Sequence, residues 1–293
     1  MFERFHSFHV NTGEAEIAGR ISRPQNGPPL LLLHGHPQTH LIWHKIADRL
    51  AEHYTVVVTD LRGYGASSKP QGLPDHSNYS KRAMAQDQVA VMRSLGFDRF
   101  FLCAHDRGAR VAHRLCADHP DQVEKAMFLD IAPTLAMYER TDRTFATYYF
   151  HWFLLIQPPP FPETLVGAAP EAYAEKVMTS PPAGLSIFAP EALQAYKAAL
   201  RQPGAVHAMC EDYRASATID LDHDKADREA GRKLACPLRV LWGQYGLIEH
   251  CYDALALWRE VAENVSGMSV PSGHYIPEEI PDLLYDEMRA FLR

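Results

Sequence analysis

Two hydrophobic rhythms alternate along this chain of 293 residues. The short apolar runs in "PLLLLHG", "YTVVVTDLRG", "FFLCAHD", "KAMFLDIAP" and, much later, "PLRVLWG" have no polar alternation, which is the signature of strands buried on both faces. Between them, "IWHKIADRLAEH", "RAMAQDQVAVMRSLG" and "RGARVAHRLCADHP" carry apolar residues at helical spacing. A hairpin in "RFHSFHVNTGEAEIAGRIS" precedes this series, and a last strand ("NVSGMSVPSG") and helix ("DLLYDEMRAFLR") follow it. The order predicts an α/β protein with a mostly parallel, eight-stranded sheet and helices on both faces. The rhythm breaks between Thr134 and Lys233, where aromatic-rich and proline-rich segments look helical and hold no buried strand. An inserted helical cap at 134–233, between core segments 1–133 and 234–293, is the expected organisation.

Composition excludes several classes. Lys plus Arg is 29 and Asp plus Glu is 36, a formal charge of −7, and no basic run follows a nucleic-acid backbone. No stretch reaches the roughly 18 apolar residues of a membrane span, and "MFERFHSFHV" lacks the apolar centre of a signal peptide. A soluble, cytoplasmic protein is expected. Cys103, Cys116, Cys210, Cys236 and Cys251 show no C-x-x-C spacing, so reduced thiols are expected and no metal site.

The chemistry gathers at "FLCAHDRGAR". In the G-x-S-x-G elbow of α/β-hydrolases, the nucleophile sits on a tight strand-to-helix turn flanked by small residues. Ala104, Asp106 and Gly108 match it, with an apolar strand before and an amphipathic helix after, but aspartate replaces serine. A carboxylate is ionised at neutral pH and needs no base to displace a leaving group from saturated carbon. The resulting enzyme ester must then be hydrolysed, which requires a general base and oxyanion donors. The backbone N–H groups of His36, in "HGHPQ", and Arg107 are the expected donors. His274 follows the final strand and is the expected base. For its partner acid, the usual positions after "PLRVLWG" hold Gln244 and Gly246, so Asp130 is favoured, Glu249 competes, and Asp60 is read as stabilising the turn in "TDLRGYG".

"HGHPQ", "DLRGYGASSKP", "HDRGAR", "LDIAPT", "HW", "DYRASATID" and "SGH" together resemble the fluoroacetate (haloacetate) dehalogenases of the α/β-hydrolase superfamily over nearly the whole chain, although "DLRGYG" alone is shared with epoxide hydrolases. The resemblance implies Asp106 as nucleophile, His274 as base and Asp130 as its acid, with Arg107 and Arg110 gripping the substrate carboxylate. It further implies His151, Trp152 and Tyr213 as a halide pocket, no cofactor, a small haloacid as the only partner and a homodimer. Two guanidiniums three residues apart suit a carboxylate and offset the repulsion between an anionic substrate and an anionic nucleophile. Polar hydrogens on aromatic frames can replace the water around departing fluoride, at roughly 1.5–3 kcal/mol for each charge-assisted bond.

The chain departs from the family at two places. His36 fills a turn position that is commonly apolar or aromatic, which predicts a more polar pocket mouth. The stretch "EKVMTSPPAGLSIF" lacks a tryptophan expected near the substrate in fluoroacetate-specific members, which leaves chloroacetate or a larger 2-haloacid as alternative preferences. An epoxide hydrolase would use the same nucleophile with Tyr148, Tyr149 or Tyr213 as ring-opening acids, but neither it nor a haloalkane dehalogenase needs paired arginines. A ligand receptor on the same fold would not need Asp106, His274 and Asp130 together.

Overall fold

The computed structural model describes residues 1–179 and 181–293; Ser180, inside the tryptophan-free stretch, lies outside the described residues. The sheet contains β1 (Phe5–Asn11), β2 (Glu16–Ser22), β3 (Pro29–Leu33), β4 (Thr55–Thr59), β5 (Phe100–His105), β6 (Val123–Leu129), β7 (Leu238–Gly243) and β8 (Val265–Val270). Their spatial order is β1-β2-β4-β3-β5-β6-β7-β8. The first two strands form the expected antiparallel hairpin, β2 joins β4 antiparallel, and every other pairing is parallel.

The unbroken apolar runs split by parity onto the two faces. Leu31, Leu33, Leu102, Ala104 and Phe128 enter one core, while Leu30, Leu32, Phe101, Cys103 and Met127 enter the other. Each fully buried leucine of β3 removes apolar surface worth about 1.5–3 kcal/mol, so both faces hold the strand in register.

Helices Lys81–Ser94, Asp106–Asp118 and Pro281–Phe291 form where their spacing predicts. "IWHKIADRLAEH" instead divides into a 3-10 turn, His40–Trp43, and a short helix, Ala47–Leu50. Successive i+3 bonds at Ile42, His44 and Ile46 replace α-helical ones. Here the chain is tied down by its neighbours: the His40 N–H and ring both bond Asp60, and Lys45 Nζ donates to the carbonyls of Ile187 and Glu278. From Thr134–Glu139 to Ile219–Glu229 the described residues form helices and turns and contribute no strand to the sheet. No described helix is long and apolar enough to cross a membrane.

The strand order reverses between β3 and β5, and in open α/β sheets ligands bind beyond the strand ends at such a switch point. His36 follows β3 and Asp106 follows β5, which puts both at this crevice.

Candidate active site

Asp106 begins its helix directly after β5 with φ +46°, a left-handed conformation that costs a non-glycine residue roughly 1–3 kcal/mol. The turn is tight enough to dictate its neighbours. A Cβ on Gly108 would lie 2.3 Å from the His34 carbonyl oxygen, and one on Gly35 would lie 2.4 Å from Asp106 Cβ. Asp106 Oδ1 accepts the His36 N–H at 2.9 Å, so the expected oxyanion donor already touches the carboxylate. Burial pushes the Asp106 carboxyl up, but the positive groups around it, His274 first and then Arg110 and Arg107 among them, hold it well below the usual carboxylate range.

His274 Nε2 lies 3.9 Å from Asp106 Oδ2, beyond a hydrogen bond. Its Nδ1 meets Asp130 Oδ2 at 2.6 Å. Asp130 also has positive φ, +52°, and its Oδ1 accepts the Gly243 N–H at 2.8 Å. Burial works against the His274 imidazolium, yet the Asp130 and Asp106 carboxylates raise its pKa above the ordinary 6.5. Glu249, the competing acid, accepts instead from Trp242 Nε1. Asp60 accepts from His40 and from the Ala66 N–H, bracing the "DLRGYG" turn, and its pKa falls to about 2.

The two arginines differ. Arg107 Nε and Nη2 bond the Asp212 carboxylate at 2.9 and 2.8 Å, Nη2 also donates to the Asp212 carbonyl, and Nη1 reaches Ser216 Oγ at 3.3 Å. Only Nη1 keeps an N–H to offer elsewhere. Among the described residues, no carboxylate forms an ion pair with Arg110. Its Nη1 donates to the Ala132 carbonyl and Thr134 Oγ1, Nη2 meets Met137 Sδ, and Nε is buried with no protein partner among the described residues. Burial pushes its pKa down, against the pull of Asp106.

Helices Phe150–Leu155 and Ala205–Ser216 deliver the three expected halide residues, which are all buried. The Arg110 guanidinium carbon lies 4.7 Å from the Trp152 ring centre, and that of Arg107 lies 4.0 Å from the Tyr213 ring. The Tyr213 ring meets His151 at 5.8 Å and Trp152 at 6.3 Å. Trp152 Nε1, the Tyr213 hydroxyl and His151 Nδ1 have no hydrogen-bond partner among the described residues, an arrangement buried polar groups otherwise avoid. Burial keeps His151 neutral by lowering its pKa well below 6.5. Tyr149 also reaches the site, with its hydroxyl 3.5 Å from His274 Nδ1. Tyr148, a candidate ring-opening acid, is 66% exposed and does not.

The His36 ring, expected to make the pocket mouth more polar, is buried inside the site. Nε2 lies 3.0 Å from the Tyr173 hydroxyl, the ring stacks on His151 at 5.8 Å, and burial lowers its pKa to about 3.

A family model for the alpha/beta hydrolase fold matches residues 28–174, and a fluoroacetate dehalogenase from a Burkholderia species is 45% identical over all of this chain and 95% of its own length. The chain belongs to the α/β-hydrolase family. A soluble epoxide hydrolase from a Corynebacterium species is a more distant relative, 31% identical over 91% of this α/β hydrolase and 90% of its own chain. A solved structure from a Nostoc species, described as an alpha/beta hydrolase, is 54% identical, covers 100% of this chain and 99% of its own, and superposes with a TM-score of 0.95. The resemblance to fluoroacetate dehalogenases thus extends over the whole chain, as the motifs predict.

Sequence reasoning missed several residues of this α/β hydrolase. Asp212 also accepts from the Tyr64 hydroxyl at 2.7 Å and pairs with Lys81. His105 Nε2 meets the His274 carbonyl oxygen at 2.8 Å, and its ring, with a pKa lowered to about 3 by burial, stays neutral. Asp212 and His105 lie inside quoted motifs, but no spacing rule assigns them partners more than a hundred residues away.

Proposed function

We propose that this chain is a cofactor-independent haloacetate dehalogenase that converts fluoroacetate and water to glycolate, fluoride and a proton. One observation carries the reading: around an ionised Asp106 stand a buried guanidinium, Arg110, with no carboxylate partner among the described residues, and two buried donors, Trp152 Nε1 and the Tyr213 hydroxyl, with no acceptor among them. An anion with two poles, a carboxylate and a departing halide, satisfies both sets. An uncharged epoxide would leave Arg110 unpaired.

In this reading the substrate carboxylate lies against Arg110, with Arg107 Nη1 as a second donor. Asp106 Oδ2 attacks the α-carbon, the new C–O bond forms as the carbon–halogen bond breaks, and the electron pair leaves with the halide toward His151, Trp152 and Tyr213. His274 Nε2 then takes a proton from water, whose oxygen attacks Asp106 Cγ. The His36 N–H, joined by that of Arg107, holds the oxyanion. Collapse of the tetrahedral intermediate expels glycolate, which receives the proton from His274, and the regenerated carboxyl loses its proton to solvent. Asp130 keeps the imidazole oriented throughout. The helices of 134–233 act as a cap over core segments 1–133 and 234–293, excluding water while the charged groups react.

A panel of fluoro-, chloro- and bromoacetate and the 2-halopropionates, scored for halide release, tests the reading and ranks its substrates. Single turnover in heavy-oxygen water should label the Asp106 side chain, and Asp106→Asn should release no halide. Label appearing directly in glycolate would refute the ester route.

A further inference from the structure

The backbone around His274 is gripped from outside the catalytic set. Glu279 ends the short turn Ile276–Glu279 and folds back over the loop after β8. Its Oε2 accepts the Gly273 N–H at 2.7 Å and its Oε1 accepts the Tyr275 N–H at 2.9 Å, so one carboxylate holds the amides on either side of His274. The His274 carbonyl is held in turn by His105 Nε2. Capping the turn requires only amides at its start, whereas the Gly273 N–H lies upstream of it. The bond to the Gly273 N–H therefore serves the loop.

We propose that Glu279 is a positioning residue for ester hydrolysis, fixing the loop so that His274 Nε2 faces the Asp106 carboxyl carbon while Nδ1 stays on Asp130. This rests on the dehalogenase reading and assigns Glu279 to its second half-reaction. Alkylation requires only Asp106 and the substrate-binding groups, so it does not depend on where the imidazole points. Deprotonating water does, and a misplacement of about 1 Å can cost on the order of a hundredfold in rate. The carboxylate is also an anion near the base. The groups facing His274 include Asp130 after β6, Asp106 and His105 at the elbow, His36 after β3, Tyr149 and His151 from the helical insertion, and Tyr275 and Glu279 from its own loop.

The test is single-turnover kinetics on the full chain with chloroacetate and fluoroacetate, following halide and glycolate separately and the mass of the intact protein. Glu279→Ala should leave the halide burst nearly unchanged, slow glycolate formation by about 10- to 100-fold, and accumulate protein carrying the carboxymethyl ester. Glu279→Gln keeps one acceptor and carries the test should the alanine variant fail to fold. It should slow hydrolysis less and move the acid limb of that step to lower pH, because an anion near the imidazolium is gone. Hydrolysis at the wild-type rate in the variants, or equal slowing of both half-reactions, overturns the proposal alone. A wild-type protein that forms no ester overturns both it and the functional reading.

Discussion

The Arg107 guanidinium and the Asp212 carboxylate form a fully buried, two-pronged ion pair, with N···O distances of 2.9 and 2.8 Å. It ties the helix that begins with Asp106 to the helix that carries Tyr213. Removing one member of such a pair strands the other charge in the interior. Asp212→Ala, which strands Arg107 and leaves Lys81 only Asp220 at 3.6 Å, should therefore lose about 3–5 kcal/mol of stability by urea denaturation. A loss below about 1 kcal/mol would mean that water reaches this network.

Arg110 should show its role in geometry more than in charge. Arg110→Lys keeps the cation but loses the guanidinium fork, including the unpartnered Nε–H. With charge-assisted bonds worth about 1.5–3 kcal/mol, kcat/KM for haloacetates should fall roughly ten- to a hundredfold. Wild-type kinetics in this variant would remove Arg110 from substrate binding.

Tyr213→Phe should separate activity from stability. The hydroxyl has no hydrogen-bond partner among the described residues, so deleting it breaks no bond seen there and denaturation midpoints should hold or rise slightly. Fluoride, the most strongly solvated leaving group, should suffer most. The ratio of fluoroacetate to bromoacetate turnover should drop about tenfold, and an unchanged ratio would exclude the hydroxyl from halide binding.

The two half-reactions should respond differently to pH. In the proposed route His274 acts as base only when neutral, so glycolate formation should decline with falling pH as the imidazole is protonated, along a limb that Asp130 moves to higher pH. The halide burst should stay flat over the same range, because Asp106 remains ionised far below it. Asp130→Asn removes the chief stabiliser of the imidazolium, so the limb should shift to lower pH as hydrolysis slows. Linkage has the same origin: the favourable charging of His274 stabilises the fold below pH 6.5 and is lost as pH rises through the folded pKa.

Much of this was legible because it is local. Strands buried on both faces leave unbroken apolar runs, and the small residues around Asp106 report a turn that admits no Cβ at Gly108. Asp130 could be favoured by elimination, and its carboxylate lies 2.6 Å from His274 Nδ1 while accepting the Gly243 N–H at the end of β7. The Arg107–Asp212 pair escaped because its members are separated by 105 positions, and an acidic residue on a polar-looking helix reads as solvated until the fold buries it. The segment around His40–Leu50 misled for a different reason. Apolar spacing reports which side is buried, and it is blind to tertiary anchors such as Asp60 that tighten a helix into a 3-10 turn.

The left-handed backbone at Asp106 and Asp130 has a consequence for anyone evolving this protein toward heat tolerance. Glycine relaxes in that region, so a screen rewarding survival at high temperature sets this relief against the hydrogen bonds that Asp106 and Asp130 accept from His36 and Gly243, and heat alone does not protect either carboxylate. Selection here needs a turnover gate at every round, or it can enrich robust proteins that no longer react.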